Sequence, residues 1–116
     1  MSESIKSIIE WNEQSFPDTT LDGQIAKFFD EEQELLEAKT EEDVLSEVAD
    51  CFIVACGIGR FDIVSAARFM GWAFHLFTQN TNLTKSKVQD AIDKKMAINR
   101  TRVWERKGNN YQHKEQ

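Results

Sequence analysis

The segment EEQELLEAKTEEDVLSEVAD, residues 31–50, indicates the fold most directly, because it places an acidic pair on either side of a short polar stretch. Glu31 and Glu34 are three residues apart, as are Glu47 and Asp50. On a helix this spacing puts both members of a pair on one face. Two such helices packed antiparallel would direct all four carboxylates to a single point. We therefore predict a helical pair with an acidic centre between its members.

Four carboxylates that converge need a compensating charge, because like charges repel strongly where the dielectric constant is low. Hard divalent cations with oxygen ligands supply that charge best. The prediction is a metal site formed by Glu31, Glu34, Glu47 and Asp50, with Mg²⁺ as the ion or Mn²⁺ in its place. One acidic pair alone would be typical of a solvated helix face, and the second pair favours the metal site.

The composition predicts a single domain that works in water. The chain has 116 residues, of which 41% are hydrophobic and 29% charged, as is ordinary for a globular protein. The longest apolar run is too short to span a bilayer, and no basic region followed by an apolar stretch opens the chain. We expect a cytoplasmic protein with no membrane partner. The net charge of −6 argues against binding to a nucleic-acid polymer through its phosphates.

Turn residues and apolar spacing divide the chain into five predicted helices. These cover about residues 3–15, 21–38, 41–55, 62–79 and 85–106, and the third is expected to end at Gly57 or Gly59. Thr40 and Thr84 are typical N-cap residues for the third and fifth of them. Since no segment alternates clearly as a strand does, we predict an all-α bundle of about five helices. The helical domain takes residues 1–107, and a polar C-terminal tail takes residues 108–116.

The fifth predicted helix carries a face that complements the acidic centre. Lys95, Asn99 and Arg102 recur at i, i+4 and i+7, so they share one side of that helix. An ammonium, an amide and a guanidinium in a row are suited to the oxygens of a polyphosphate. A metal held by carboxylates, together with such cations, is the equipment needed to cleave a phosphorus–oxygen bond. The alternative is an exposed C-terminal helix whose dipole favours cations.

Three stretches of the chain resemble the MazG-like all-α nucleoside triphosphate pyrophosphohydrolases. The pattern EExxE, a spacer, then ExxD reads here as residues 30–34 and 47–50, with Asp30 in place of the first glutamate. The stretch KMAINRTRVWE, residues 95–105, is similar to the KxxxNxxRxW ending of the dATP/dGTP pyrophosphohydrolase branch. The start WNEQSFP, residues 11–17, also resembles that branch. The aromatic segment 61–82 is longer than the connection expected in the compact branch.

The resemblance implies a role for each of these residues. Glu31, Glu34, Glu47 and Asp50 would bind Mg²⁺ and include the group that orients or deprotonates the attacking water. Water would attack the α-phosphorus of a nucleoside triphosphate, which would release a nucleoside monophosphate and pyrophosphate. The phosphates would be held by Lys95, Asn99 and Arg102. Trp11 would form a wall for the base, or would instead belong to the core. The family also implies homodimers or homotetramers.

Two other interpretations of the acidic centre have to be compared with this one. A non-catalytic helical module, which senses nucleotides or binds another protein, could retain the acidic site, and Asp30 and the long fourth helix are compatible with it. A di-iron carboxylate bundle would need Glu-x-x-His pairs on its helices. Neither His75 nor His113 follows a glutamate at that spacing, so the sequence disfavours the di-iron interpretation.

Overall fold

The computed structural model describes residues 2–78, 83–107 and 110–113 of the chain. This part is compact and mostly helical, which confirms the prediction of five helices. The elements in chain order are α1 (Ile5–Ser15), α2 (Leu21–Glu37), α3 (Glu41–Gly59), α4 (Ile63–Thr78), α5 (Lys85–Asn99), β1 (Trp104–Lys107) and β2 (Asn110–His113). None of the helices within these ranges is long and apolar enough to cross a membrane.

Threonine side chains begin three of the helices. At the start of α3, Thr40 Oγ1 accepts a hydrogen bond from the backbone N–H of Asp43 at 3.1 Å. Thr84 caps α5 in the same way, and Thr20 caps α2. Each hydroxyl satisfies a backbone donor that the first turn of a helix leaves without a partner. These contacts confirm Thr40 and Thr84 as N-caps, and they leave residues 38–40 as the whole connection between α2 and α3.

The central element is α3, which packs against α1, α2, α4 and α5. Its buried side chains belong to two apolar clusters. Val48 packs in one cluster with Phe28 of α2, and Ile53 packs in the other with Met96 of α5. Helices on both sides of α3 therefore cover it, which fixes the position of α2 and α5 relative to each other. This helix ends at Gly59, one of the two glycines predicted to end it.

The C-terminal part of the chain differs from the all-α prediction. The fifth helix ends at Asn99 and does not reach residue 106, and β1 pairs antiparallel with β2. The indole Nε1–H of Trp104 donates to the carbonyl oxygen of Asn99 at 3.2 Å, which holds the chain just after the helix end. In this hairpin Trp104 and Tyr111 both pack against Phe16. Burial of these rings outweighs the helical tendency of a short segment.

Part of the predicted polar tail also belongs to the hairpin. Residues 110–113, which the sequence assigned to the tail, form β2 and pair in register with residues 104–107. The remaining tail residues, 108–109 and 114–116, lie outside the described residues. The fold is therefore a mostly helical domain with a C-terminal β-hairpin that packs against the loop between α1 and α2.

Candidate functional site

A cleft of about 720 Å³ lies between the helices and the hairpin. Seven of the eight residues that the sequence singled out line it: Trp11, Glu31, Glu34, Asp50, Lys95, Asn99 and Arg102. The eighth, Glu47, approaches Glu31 and Glu34 with its carboxylate. The structure thus brings together residues from α1, α2, α3, α5 and the segment that follows α5. The two ends of this cleft differ in chemistry.

Three carboxylates form the acidic end of the cleft. One oxygen from each of Glu31, Glu34 and Glu47 lies within 4.8 Å of the other two. Glu31 Oε2 and Glu47 Oε2 are buried, and neither has a hydrogen-bond partner among the described residues. Oxygen atoms that are close together and lack donors are suited to a hard divalent cation, which prefers carboxylate ligands. The three carboxylates could therefore hold a hard divalent cation.

The protonation of this end reflects its burial. Burial, together with the nearby carboxylates of Glu34 and Asp50, raises the pKa of Glu31 to about 8. Burial also raises the pKa of Glu47 to about 7, with the charge of Asp50 as the next cause. Both shifts have the same origin, since the ionised form loses hydration and meets like charges. Without a cation, the cluster resists full ionisation near neutral pH.

The fourth predicted ligand, Asp50, is placed differently from the other three. Its Oδ2 lies 3.2 Å from Lys95 Nζ, and the two form an ion pair between α3 and α5. Burial raises the pKa of Asp50, and the ammonium of Lys95 opposes that shift. The close group of three oxygens does not include Asp50. The ion pair connects the acidic end directly to the basic wall of the cleft.

The basic wall consists of the three predicted residues on and after α5. Lys95 and Asn99 lie on the helix, whereas Arg102 lies beyond its end because α5 stops at Asn99. All three line the cleft nonetheless. Arg102 Nη1 lies 3.5 Å from Asn99 Oδ1, which places the guanidinium beside the amide. The predicted grouping is present, although the single helical stripe assumed for it is not.

Lys27 also lines the cleft, although it was not among the residues predicted for the site. Its Nζ donates to the carbonyl oxygen of Tyr111 at 3.1 Å and lies 5.4 Å from the ring centroid of Trp104. Burial lowers the pKa of Lys27, while the carboxylate of Glu31 opposes the shift. The spacing of four residues between Lys27 and Glu31 puts them on one face of α2. This spacing is the signal in the sequence that could have identified Lys27, but it does not indicate the contact with the hairpin.

Aromatic rings enclose the other end of the cleft. Phe16 is buried between Trp11 and Trp104, with ring centroids 5.1 and 5.0 Å away, and Tyr111 lies 4.8 Å from it. Trp11 is only 7% exposed and belongs to the apolar cluster of Ile53 and Met96, yet it also lines the cleft. The two interpretations of Trp11 are therefore compatible. Flat ring faces at this end are suited to the stacking of a planar ligand.

Comparisons with known proteins do not identify a family for this chain. No family model, no curated protein and no solved structure matches the chain. The functional interpretation rests on the residues and their geometry.

Proposed function

We propose that this protein is a Mg²⁺- or Mn²⁺-dependent nucleoside triphosphate pyrophosphohydrolase of the MazG-like type. It would cleave (deoxy)nucleoside triphosphates between the α and β phosphates into a nucleoside monophosphate and pyrophosphate. The observation that carries the proposal is the arrangement of one cleft: three converging carboxylates at one end, a basic wall beside them and aromatic rings at the other end. Each part complements one part of a nucleotide.

The charges of the cleft favour a substrate that arrives with a cation. A bare triphosphate would be repelled by Glu31, Glu34 and Glu47, whereas Lys95 and Arg102 alone would attract it. Bound Mg²⁺ would offset this repulsion and polarise the phosphoryl group. The carboxylates would hold the cation, and the basic wall would bind the phosphate oxygens. This division of roles explains why opposite charges lie so close together in one small cleft.

The chemistry assigned to the residues is an in-line displacement by water. A carboxylate of the acidic end accepts a proton as the water oxygen forms a bond to the α-phosphorus. The bond from that phosphorus to the bridging oxygen of the β-phosphate breaks at the same time. Lys95, Asn99 and Arg102 stabilise the charge that develops on the departing pyrophosphate. Asp50 keeps Lys95 in place through the ion pair of 3.2 Å.

The assembly state and location form part of the same proposal. The outward side of α4 exposes large apolar side chains, among them Ile63 at 59%, Val64 at 57% and Trp72 at 55%. Exposed apolar patches of this kind are typical of protein interfaces, so we expect a homodimer or homotetramer. Nucleoside triphosphate pools lie in the cytoplasm, where we expect the protein to act without a nucleic-acid polymer or a membrane as partner.

A second candidate is a nucleotide sensor that binds the same ligand without turnover. The observation that favours it is the pairing of Asp50 with Lys95, which leaves three carboxylates in the close acidic group. A site with one ligand fewer could bind a metal–nucleotide complex and fail to activate water. The non-catalytic module is therefore a proposal that the same experiment can separate from the enzyme.

The test is pyrophosphate release from a panel of ribo- and deoxynucleoside triphosphates, with Mg²⁺ and with EDTA. The products are resolved as monophosphate or diphosphate. Metal-dependent formation of monophosphate and pyrophosphate in equal amounts is the expected result. Stabilisation of the fold by Mg²⁺ and a nucleotide, without product, would reject the enzyme and support the sensor. Absence of both binding and turnover would reject both candidates.

A further inference from the structure

A buried pair of amide side chains lies in the part of the cleft that the metal and phosphate residues do not occupy. Asn12 of α1 is 2% exposed and Gln24 of α2 is 3% exposed, yet both line the cleft. Asn12 Nδ2 lies 3.5 Å from Gln24 Oε1 in a donor-to-acceptor contact. Buried amides are costly unless they are hydrogen-bonded, so the partners of each amide determine how the pair is held at the cleft wall.

The orientation of each amide is fixed by a third residue. Arg60 Nη1 donates to Asn12 Oδ1 at 2.8 Å, so the oxygen faces the guanidinium and the amino group faces Gln24. Gln24 Nε2 donates to Thr19 Oγ1 at 3.1 Å, which turns its carbonyl oxygen towards Asn12. A flipped Asn12 would place a donor against a donor. An amide nitrogen carries two hydrogens and an amide oxygen two lone pairs, so each retains one after these contacts.

Gly57 of α3 makes room for this pair. A Cβ at that position would overlap Gln24 Oε1 and lie 2.7 Å from Asn12 Nδ2. Glycine is unfavourable in the interior of a helix, and close approach of another group is a physical reason to have it there. The central helix is therefore shaped to let the two amides reach the cleft wall beside it.

The separation of the amides from the carboxylates matches one nucleoside. Gln24 precedes Glu31 by seven residues on α2, and Gly57 follows Asp50 by seven on α3. Seven residues of helix span about 10 Å at a rise of 1.5 Å per residue. A nucleoside extends over a comparable length from its phosphate to the hydrogen-bonding edge of its base. The aromatic rings around Phe16 lie at this same end, where bases can stack.

We propose that the Asn12–Gln24 pair selects the nucleobase and separates amino bases from oxo bases. This inference rests on the proposed function. Adenine and cytosine present an exocyclic donor beside a ring acceptor, whereas guanine, thymine and uracil present the reverse order. Because the order of donor and acceptor in the pair is fixed, one class forms both hydrogen bonds and the other meets like groups. Arg60 and Gly57 are positioning residues for this selection.

The experiment compares bases of equal size, so that shape does not enter. We expect kcat/KM to differ about 10- to 100-fold between dGTP and dATP, and in the same direction between dTTP and dCTP. Asn12→Asp replaces the donor by an acceptor while keeping the contact with Arg60, and it should reverse both ratios or reduce them at least about tenfold. Gln14→Glu adds the same charge on the exposed side of α1 and should leave them unchanged.

A second variant, at Arg60, distinguishes a change in the orientation of the Asn12 amide from a loss of folding. Arg60→Gln should bring both ratios close to one, and Arg60→Lys should restore part of the selection, because an ammonium still requires an oxygen opposite it. Thermal unfolding of each variant reports whether the fold is kept. Equal kcat/KM within both pairs of bases in the wild type would overturn the inference even if no variant folds. Unchanged ratios in a folded Asn12→Asp would do the same.

A binding measurement distinguishes failure of this inference from failure of the proposed function. Quenching of tryptophan fluorescence by dGMP, dAMP, dTMP and dCMP requires neither metal nor turnover. Selective binding without hydrolysis of any triphosphate would reject the enzyme and keep the base selection. Hydrolysis with equal efficiency within each size-matched pair would keep the enzyme and reject the selection.

Discussion

The two ends of the cleft differ in whether their buried polar atoms have hydrogen-bond partners. At the acidic end, Glu31 Oε2 and Glu47 Oε2 are buried without hydrogen-bond donors among the described residues. At the other end, Asn12 and Gln24 are buried with donors and acceptors opposite them. Unpaired charges in a protein oppose folding, whereas bonded amides support it. The acidic end therefore opposes folding of the metal-free protein, as expected if it holds a cation as proposed, and the amide end contributes to the fold itself.

Removing one charge from the acidic end should change activity and stability in opposite directions. Glu34→Gln should lower the rate of pyrophosphate release by about 10²- to 10⁴-fold, because a ligand for the cation and the charge that the chemistry uses are lost. The metal-free protein should at the same time become more stable, since like-charge repulsion is relieved. Rates with Mg²⁺ and unfolding curves in EDTA measure the two effects.

The matched control for this change is Glu37→Gln on the same helix. Glu37 is exposed and accepts a hydrogen bond from Gln33 outside the cleft. The control should keep both the rate and the stability. Full activity of Glu34→Gln, or equal losses in the two variants, would contradict the assignment of the acidic end.

The aromatic rings lie at the same end as the amide pair, and truncating one of them should lower the stability of the protein. Phe16→Ala removes a ring that is 5% exposed and touches Trp11, Trp104 and Tyr111. The free energy of unfolding should fall by about 3 kcal/mol, as for other large-to-small core changes. Thermal or denaturant unfolding measures this loss. Phe29→Ala is the control, since Phe29 is 52% exposed, and it should cost about 1 kcal/mol or less.

The pH dependence of stability should reveal the acidic end in the metal-free protein. The pKa of Glu31 rises to about 8 and that of Glu47 to about 7, from a usual value of 4.5. A raised pKa means that the folded state binds more protons than the unfolded state, so stability is greatest below the usual value. It is lost as the pH rises through the folded pKa values, up to about 8.

The measurement is a series of unfolding curves in EDTA between about pH 5.5 and 8.5. The loss should be on the order of 1 kcal/mol after allowance for solvent screening, which corresponds to about 4 °C in the unfolding temperature. Mg²⁺ should reduce the slope, because the ion binds the ionised cluster. The double variant Glu31→Gln with Glu47→Gln should flatten it. A stability that rises with pH in this range would refute the shifted carboxylates.

The difference between the two ends also determines which part of the site could be predicted from the sequence. The acidic pairs at Glu31, Glu34, Glu47 and Asp50 obey a local rule, since three residues along a helix return a side chain to the same face. Thr40 and Thr84 are also local signals, because each is an N-cap residue directly before its helix. Five helices and the convergence of Glu31, Glu34 and Glu47 were therefore accessible without a structure, whereas the ion pair that holds Asp50 apart from them was not.

The amide end depends on contacts between distant residues, and it was not accessible in this way. Arg60 bonds to Asn12, which lies 48 residues earlier, and nothing in the local pattern of either residue signals this. The hairpin was missed for a different reason. Two runs of four residues with Gly108-Asn109 between them carry a hairpin signal, but helical spacing from Lys95 to Arg102 suggested one long helix. Packing of Trp104 on Phe16 decides against that helix.

Two ion pairs join α3 to α5, and we expect only one of them to affect turnover. Glu41 and Lys87 lie 2.8 Å apart with side chains about half exposed, whereas Asp50 and Lys95 lie 3.2 Å apart and are better buried. The shorter pair should matter less, because water and salt screen it. Lys87→Gln should change the free energy of unfolding by about 0.5 kcal/mol or less and leave turnover intact. Lys95→Gln should impair turnover, since it removes a proposed phosphate ligand and frees Asp50 from its partner. A larger loss of activity in Lys87→Gln than in Lys95→Gln would mean that contact distance, and not position in the cleft, determines which ion pair the protein depends on.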